Sequence, residues 1–389
     1  MTDTLRVAMI GHGFMGAAHS QGWRVAPRFF DLPRPVEMAV VTGRRADAAE
    51  QAARTWGWQE SATDWRSVIA RDDIDIVDIV TPGDSHAEIA VAALEAGKHV
   101  LCEKPLANTV AEAEAMDAAA RDAETRGIRS MVGFTYRRVP AATFARDLVA
   151  SGRLGEIRQV RAEYLQDWLM DAEAPLTWRL QKERAGSGSL GDIGAHAIDM
   201  AEFITGQHVV SVSGILETVV AERPLLADGI GLSGTASSER GQVTVDDIAL
   251  FHGRLDTGAV ASFEATRFRT GRKNALRIEV SGSKGALSFD LERMNELEFY
   301  DATLPATEQG FRRILVTEPE HPYVGAWWPA GHMLGYEHGF SHQVRDFVVA
   351  IDEGSAPRPS FADGLHVQRV LDAVQRSSAE GSAWVPTAD

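Results

Sequence analysis

A chain of 389 residues, 44% hydrophobic and 24% charged, has the make-up of a soluble globular protein and the length of two domains of unequal size. Its formal net charge of -16 argues against a nucleic-acid or anionic-membrane surface, because such partners need a basic face. No apolar run approaches the roughly 18 residues of a membrane helix, and a single cysteine, Cys102, excludes an internal disulfide and any cysteine-based zinc site. The first residues lack the basic and long apolar regions of a signal peptide, so a reducing cytoplasm and a small, neutral partner are expected.

The opening "LRVAMIGHGFMG" reads as a buried strand, Leu5 to Ile10, followed by Gly11, Gly13 and Gly16 in the G-x-G-x-x-G spacing of a dinucleotide-binding turn. The first glycine allows the tight turn, the second lets a pyrophosphate approach the backbone, and the third lets the helix pack on the strand. The phosphates would meet the free N–H groups of a helix starting near Met15, and His12, Phe14 and Met15 complete the candidate loop. Further strands follow in "VEMAVVTG", "DIDIVDIVTP" and "KHVLCEKP", separated by the helical patterns "RADAAEQAARTWG" and "HAEIAVAALEAG", with Gly57 and Gly97 as C-caps.

Strand and helix alternating in this way predict a doubly wound parallel sheet whose ligands lie at the carboxyl ends of the strands. Those ends carry Thr81, Pro82, His86, Glu103 and Lys104. Lys104 is the most informative, since a lysine beside a nicotinamide can hydrogen-bond a substrate hydroxyl and stabilise the developing alkoxide. A solvated surface lysine is the plain alternative. Pro105 could adopt a cis bond and fix the lysine's direction. Strand two ends in Thr42 and Gly43 where a ribose-binding acid is usual, with Arg44 and Arg45 behind it. An arginine there suits a 2'-phosphate or stacks on adenine, so NAD and NADP both remain open.

A second domain starts at Tyr136, where Tyr136 and Arg137 either border a pocket or simply pack. A helix, Ala141 to Ser151, and a strand, Ile157 to Tyr164, follow. Trp168, Trp178 and Arg179 precede "GSLGDIGAHAID", in which Asp192, His196 and Asp199 are spaced to share one helix face. His196 suits a general base near neutral pH, and Asp192 suits orienting its ring or binding a neighbouring hydroxyl. The alternatives are a histidine satisfied within its own helix and an aspartate serving as N-cap. A metal shared by Asp192, His196 and Asp199, completed by His332 or His338, is weighed and set aside, because a lysine aimed at the site would repel it.

The runs "VVSVSGILETVV", "VTVDDIALFHGRLDTGAVASFEATRF", "NALRIEVSGSKGALSFDL" and "NELEFYD" read as antiparallel strands and hairpins. A wide sheet with one apolar face must cover it, which predicts a homodimer or homotetramer. Trp327, Trp328 and His332 occupy a late loop, with His332, Trp178 and Arg179 suited to a sugar pocket. Two amphipathic helices close the chain and are expected to pack back on the first domain.

The segments G-H-G-F-M-G, "TPGDSH", "EAGKHVLCEKPLA", "GFTYRRVP" and "GSLGDIGAHAID" occur in order, and the chain resembles the glucose-fructose oxidoreductase, inositol dehydrogenase and MocA family over nearly its whole length. The stretches "DAEAPLTWRLQKERAGSGSLGDIGAH" and "AWWPAGHMLGYEHGF" are most similar to its levoglucosan-dehydrogenase-like pyranoside dehydrogenases. The resemblance implies a Rossmann domain over residues 1–135 and an α+β domain over 136–389 built on a large open antiparallel sheet. It implies no metal, and pyridine-nucleotide-dependent oxidation of a sugar, anhydrosugar or cyclitol hydroxyl, with C3 of a pyranoside as one position. The family's catalytic lysine, aspartate and histidine map onto Lys104, Asp192 and His196, and the lysine and histidine are expected to meet in a cleft between the domains. Two rival functions fit the same scaffold. One is a glycoside hydrolase that transiently oxidises its sugar with tightly held NAD, and the other is a nucleotide sensor without catalysis.

Overall fold

The computed structural model describes residues 4–230 and 233–388. They divide into two compact units, Met1–Thr135 with Tyr336–Leu365, and Tyr136–Gly335 with His366–Asp389. No helix among the described residues is long and apolar enough to cross a membrane.

In the first unit the elements run β1 Leu5–Ile10, α1 Phe14–Phe29, β2 Val36–Thr42, α2 Ala46–Trp56, β3 Glu60–Ala62, α3 Trp65–Ile69, β4 Ile76–Ile79, α4 His86–Glu95, β5 His99–Cys102, α5 Val110–Thr125 and β6 Ser130–Val132. The six strands form one parallel sheet in the order β3-β2-β1-β4-β5-β6. This doubly wound order reverses direction at β1 and β4, where ligands of such sheets bind. The expected four strands are present. β3 and β6, three residues each, are too short to show a period and are additional. Gly57 ends α2 at φ +84°, a left-handed conformation that a side chain would strain. The helix His338–Glu353 belongs to this unit. Its Val344, Phe347, Val348 and Ile351 share a core with Leu5, Val7, Met9 and Trp23, each burial contributing about 1.5–3 kcal/mol for the larger side chains.

The second unit contains α6 Pro140–Ala150, β7 Ile157–Leu165, α7 Lys182–Ala185, a π-helical turn Leu190–Gly194, α8 Ala195–Thr205, β8 Val209–Glu217, β9 Glu222–Ile230, β10 Ser233–Gln242, β11 Ile248–Leu255, β12 Val260–Thr266, β13 Ala275–Gly282, β14 Gly285–Asp290, β15 Glu296–Asp301 and β16 Phe311–Leu315. After α9, the helix His338–Glu353 of the first unit, come α10 Phe361–Ala379, whose residues divide between the units at Leu365, and β17 Val385–Pro386. Nine strands form the large sheet, in the order β16-β15-β14-β13-β7-β12-β11-β8-β17. The sheet is mixed. Its central pair, β7 and β12, is parallel, while the other pairings are antiparallel. β9 and β10 form a separate two-stranded ribbon that the sequence reading missed, because Pro224, Gly229 and the Ser/Gly-rich Ser233–Gln242 give little β-strand signal.

Alternation along the strands separates the faces of the large sheet. Val160, Ala162, Tyr164, Leu276, Ile278, Val280, Leu287 and Phe299 are buried, and helices α6 and α8 pack against the sheet. Outward lie Arg161, Glu163, Arg277, Asp290 and Glu298, among which Arg161 pairs with Glu163 at 2.9 Å and Arg277 with Asp290 at 2.9 Å. The apolar face is thus covered within the unit, and this part of the other face is charged.

Candidate active site

Two of the turn glycines have the structural roles expected of them, the tight turn at Gly11 and the close helix packing at Gly16. Gly11 sits at φ +107°, and a Cβ there would lie 3.1 Å from the carbonyl carbon of Val80. A Cβ at Gly16 would meet the Gly11 carbonyl oxygen at 3.2 Å, so this glycine brings α1 onto the sheet. Nothing within 4 Å would touch a Cβ at Gly13. The protein has no internal need of a glycine at 13, whereas a pyrophosphate approaching the backbone does. Gly13 is the N-cap of α1, and no side chain caps it, so its N–H groups suit an anion. The residues present thus fit a dinucleotide. Phe14 is exposed and Met15 half-buried, packed against the core. Gly43, where a ribose-binding acid is usual, is explained by His12, whose Cδ2 would lie 2.0 Å from a Cβ at 43. Arg44 and Arg45 are exposed beyond it, Arg45 3.9 Å from Asp47.

At the ends of β4 and β5, polar side chains are turned inward. The ring nitrogens of buried His86 lie 3.0 Å from the Pro105 carbonyl and 2.9 Å from that of Thr81, tying the two strand-end loops together. Pro82 precedes a short 3-10 turn, Gly83–Ser85, whose Ser85 hydroxyl donates to Thr81 Oγ1 at 2.8 Å. Glu103 is buried, with Oε1 3.0 Å from His19 Nε2, and Oε2 accepts from the Lys104 N–H at 3.2 Å. His19 Nδ1 lies 2.9 Å from both oxygens of Asp78, which also accepts from Trp23 Nε1 at 2.7 Å. Burial alone would lower the His19 pKa, but the charge and hydrogen bond of Asp78, then those of Glu103, raise it to about 10. The backbone of Lys104 is therefore attached to a buried imidazolium–carboxylate cluster, and the Lys104–Pro105 bond is cis.

In the second unit, Asp192 lies in the π-helical turn and His196 in the first turn of α8. The N-cap alternative for Asp192 does not hold, because Asp246 does the capping from 56 to 58 positions away. Its carboxylate accepts from Gly188 N at 2.8 Å, Ser189 Oγ at 2.7 Å and Leu190 N at 2.7 Å. Gly188 is required there, since a Cβ would lie 1.8 Å from the Asp246 carbonyl oxygen. Asp192 instead accepts from Arg267 Nη2 at 2.6 Å, the arginine buried and the aspartate side chain a third exposed. Arg179 adds a second guanidinium. Burial pushes its pKa down, Asp192 pulls it up, and Arg267 pushes it down again. Its guanidinium also lies 4.4 Å from the centroid of Trp178.

His196 is 8% exposed and stands against two phenol rings, Tyr136 at 4.6 Å and Tyr164 at 5.8 Å between centroids. Those phenols are hydrogen-bonded to each other at 3.0 Å, Tyr164 donates to Asn274 Oδ1 at 2.7 Å, and Gln166 donates to the same oxygen at 2.9 Å. Trp168 Nε1 extends the chain to Gln166 Oε1 at 2.9 Å. The structure thus assembles Tyr136, Asp192, His196, Trp178 and Arg179 into connected groups, adding Arg267 and Tyr164, which the sequence reading did not name. Arg267 shows no spacing signal, being 75 positions from its partner.

Asp199 and His332 are held by other groups. Arg137 binds Asp199 at 2.6 Å through Nη2 and at 3.0 Å through Nε. His332 is exposed, with Nδ1 2.8 Å from the Pro329 carbonyl, and neither Asp192 nor His196 is its hydrogen-bonding partner.

A six-stranded doubly wound sheet with this glycine turn defines a dinucleotide-binding protein of the Rossmann class. Family models agree over both units: residues 5–133 match "Oxidoreductase family, NAD-binding Rossmann fold" and residues 143–288 match the GFO/IDH/MocA C-terminal domain. The chain belongs to the GFO/IDH/MocA family of NAD-binding oxidoreductases. It is 43% identical over 388 residues to levoglucosan dehydrogenase from Pseudarthrobacter phenanthrenivorans, covering 98% of each chain. Among solved structures, an oxidoreductase domain protein from Kribbella flavida superposes with a TM-score of 0.95 at 62% identity, covering 100% of both chains. A levoglucosan dehydrogenase in complex with NADH and levoglucosan superposes with a TM-score of 0.93 at 42% identity, again covering 100% of both.

Proposed function

We propose that this oxidoreductase oxidises a secondary hydroxyl of a pyranose-type sugar or anhydrosugar, with NAD as coenzyme and levoglucosan the first substrate to test. The single observation that carries the reading is the His196 helix, with Asp192 fixed by Arg267 and the imidazole set against Tyr136, in a chain alike from end to end to a levoglucosan dehydrogenase. NAD is preferred to NADP because the family description and the similar complex with NADH point the same way, and an exposed Arg44 is free to lie along an adenine.

In this reading the backbone around Gly11 and Gly13 and the N-terminus of α1 hold the pyrophosphate. Held there, NAD would supply the hydride acceptor for oxidation of a carbinol carbon. This chain's own residues manage the proton. Nδ1 of His196 is buried, so Nε2 is the atom that receives the hydroxyl proton. The Lys104 ammonium is suited to donating a hydrogen bond to a substrate oxygen as negative charge develops. Asp192 accepts from a neighbouring hydroxyl, and Trp178 with Arg179 flanks the ring. The homo-oligomer expected from the wide sheet would pair through the charged outer face, where Arg161, Glu163, Arg277 and Asp290 supply complementary groups.

The test is absorbance at 340 nm with NAD and NADP against levoglucosan, free pyranoses and inositols. Turnover with NAD on an anhydrosugar or pyranose supports the reading, and silence on every polyol with both nucleotides overturns it.

A further inference from the structure

Beyond the dehydrogenase chemistry and independent of it, we propose that Glu202, His208 and His366 form a binding site for one divalent transition-metal ion of the zinc class. Glu202 lies six residues past His196 on α8, His208 just before β8, and His366 on α10, so three separate segments supply the donors. One ligand atom from each lies within 4.8 Å of the others. His208 Nδ1 is 3.3 Å from Glu202 Oε2, and His366 Nε2 is 2.8 Å from Glu202 Oε1. A tetrahedral zinc ion with bonds of about 2.0–2.2 Å places its ligand atoms about 3.3–3.6 Å apart, so the His208 separation already matches, while the His366 nitrogen, now hydrogen-bonded to the other carboxylate oxygen, must draw back to admit the ion.

The surroundings match a metal centre. The Glu202 carboxylate is 7% exposed, and the Val209 N–H donates to its Oε1 at 2.8 Å, an outer contact of the kind that orients a ligating carboxylate. The two imidazoles meet edge to face, 5.0 Å between centroids, their nitrogens turned to the shared carboxylate. His208 is itself tied down, its carbonyl accepting from the Asp256 N–H at 2.9 Å. Its side chain is 57% exposed, so an ion can enter from solvent and keep water in a fourth position. Two nitrogens and one carboxylate oxygen suit zinc, cobalt, nickel or copper and discriminate against magnesium and calcium, which take oxygen sets. The net charge of -16 attracts cations generally. With the ion bound, the histidine–carboxylate hydrogen bonds are replaced by coordination that pins α8, β8 and α10 together, and any proton on a coordinating nitrogen is released.

The experiment uses the full, tag-free chain, stripped with a chelator and titrated with Zn2+ and, separately, Co2+. Uptake of one equivalent of Zn2+, visible absorption bands from bound Co2+, and a rise in thermal midpoint with Zn2+ are the expected results. His208→Ala, at the most exposed ligand, and His366→Ala each weaken Zn2+ affinity at least about tenfold. The proposal is overturned if the wild-type chain takes up no stoichiometric ion, or if both variants bind it as the wild type does.

Discussion

His19 Nε2 lies 3.0 Å from Glu103 Oε1 while Nδ1 of the same ring lies 2.9 Å from both oxygens of Asp78, so one buried imidazolium bridges two strand ends. With its pKa raised from 6.5 to about 10, the folded chain holds this proton where the unfolded chain would release it. The stability it contributes is complete below pH 6.5 and is lost as pH rises towards 10. Melting curves between pH 6 and pH 10.5 are expected to show a falling midpoint. His19→Ala, which leaves two buried carboxylates uncompensated, costs about 3–5 kcal/mol. A midpoint that is flat over this interval would remove the charged assignment of His19.

The two turn glycines separate folding from nucleotide binding. Gly13→Ala adds a methyl group that meets no protein atom within 4 Å, so the free protein changes stability by about 1 kcal/mol or less while NAD affinity drops. Gly11→Ala forces a side chain into φ +107° beside Val80, and loses stability without any ligand. Denaturant unfolding paired with calorimetric titration of NAD distinguishes the two. Equal effects of both variants on both measurements would contradict this division.

For the two residues proposed to act on the substrate hydroxyl, Lys104→Met is expected to lower kcat about a hundredfold or more, as when a donor to a developing oxyanion is removed. His196→Asn lowers kcat by about 10²–10⁴. Both variants keep NAD affinity within a few-fold, measured by titration. Full turnover in either variant would exclude that residue from the reaction.

Asp246 has no expected contact with substrate, yet it holds the start of the Asp192–His196 segment through Gly188, Ser189 and Leu190. Asp246→Ala is expected to cost about 1–3 kcal/mol, since three donors lose their acceptor, and to reduce kcat more than KM by loosening that segment. A stable variant with unchanged kcat would reduce Asp246 to an ordinary cap.

The legible parts of this fold share one trait, a local pattern with a single physical cause. β1 with its glycine turn, β2, β4, β5 and the helices α1, α2 and α4 have continuous apolar runs or helical periods, and they lie where those patterns put them. The short edge strands β3 and β6 and the β9–β10 ribbon have no such pattern. In the site, the spacing of Asp192 and His196 was readable, but their partners were not, because Arg267 and Asp246 arrive through strand pairing and loop placement. The arginine partner of Asp199 was hidden for the same reason, lying 62 positions away. One signal was present and unused: Asp78 interrupts the apolar run "IVDIV", and a carboxylate buried in a parallel strand demands a partner, here His19.

The π-helical turn Leu190–Gly194 contains one residue more than the equivalent α-helical turn. Deleting a single residue there would restore ordinary winding and swing Asp192 by about 100° around the axis relative to His196. The relative placement of Asp192 and His196 is thus stored in chain length, and the smallest possible edit would change it with both side chains still present.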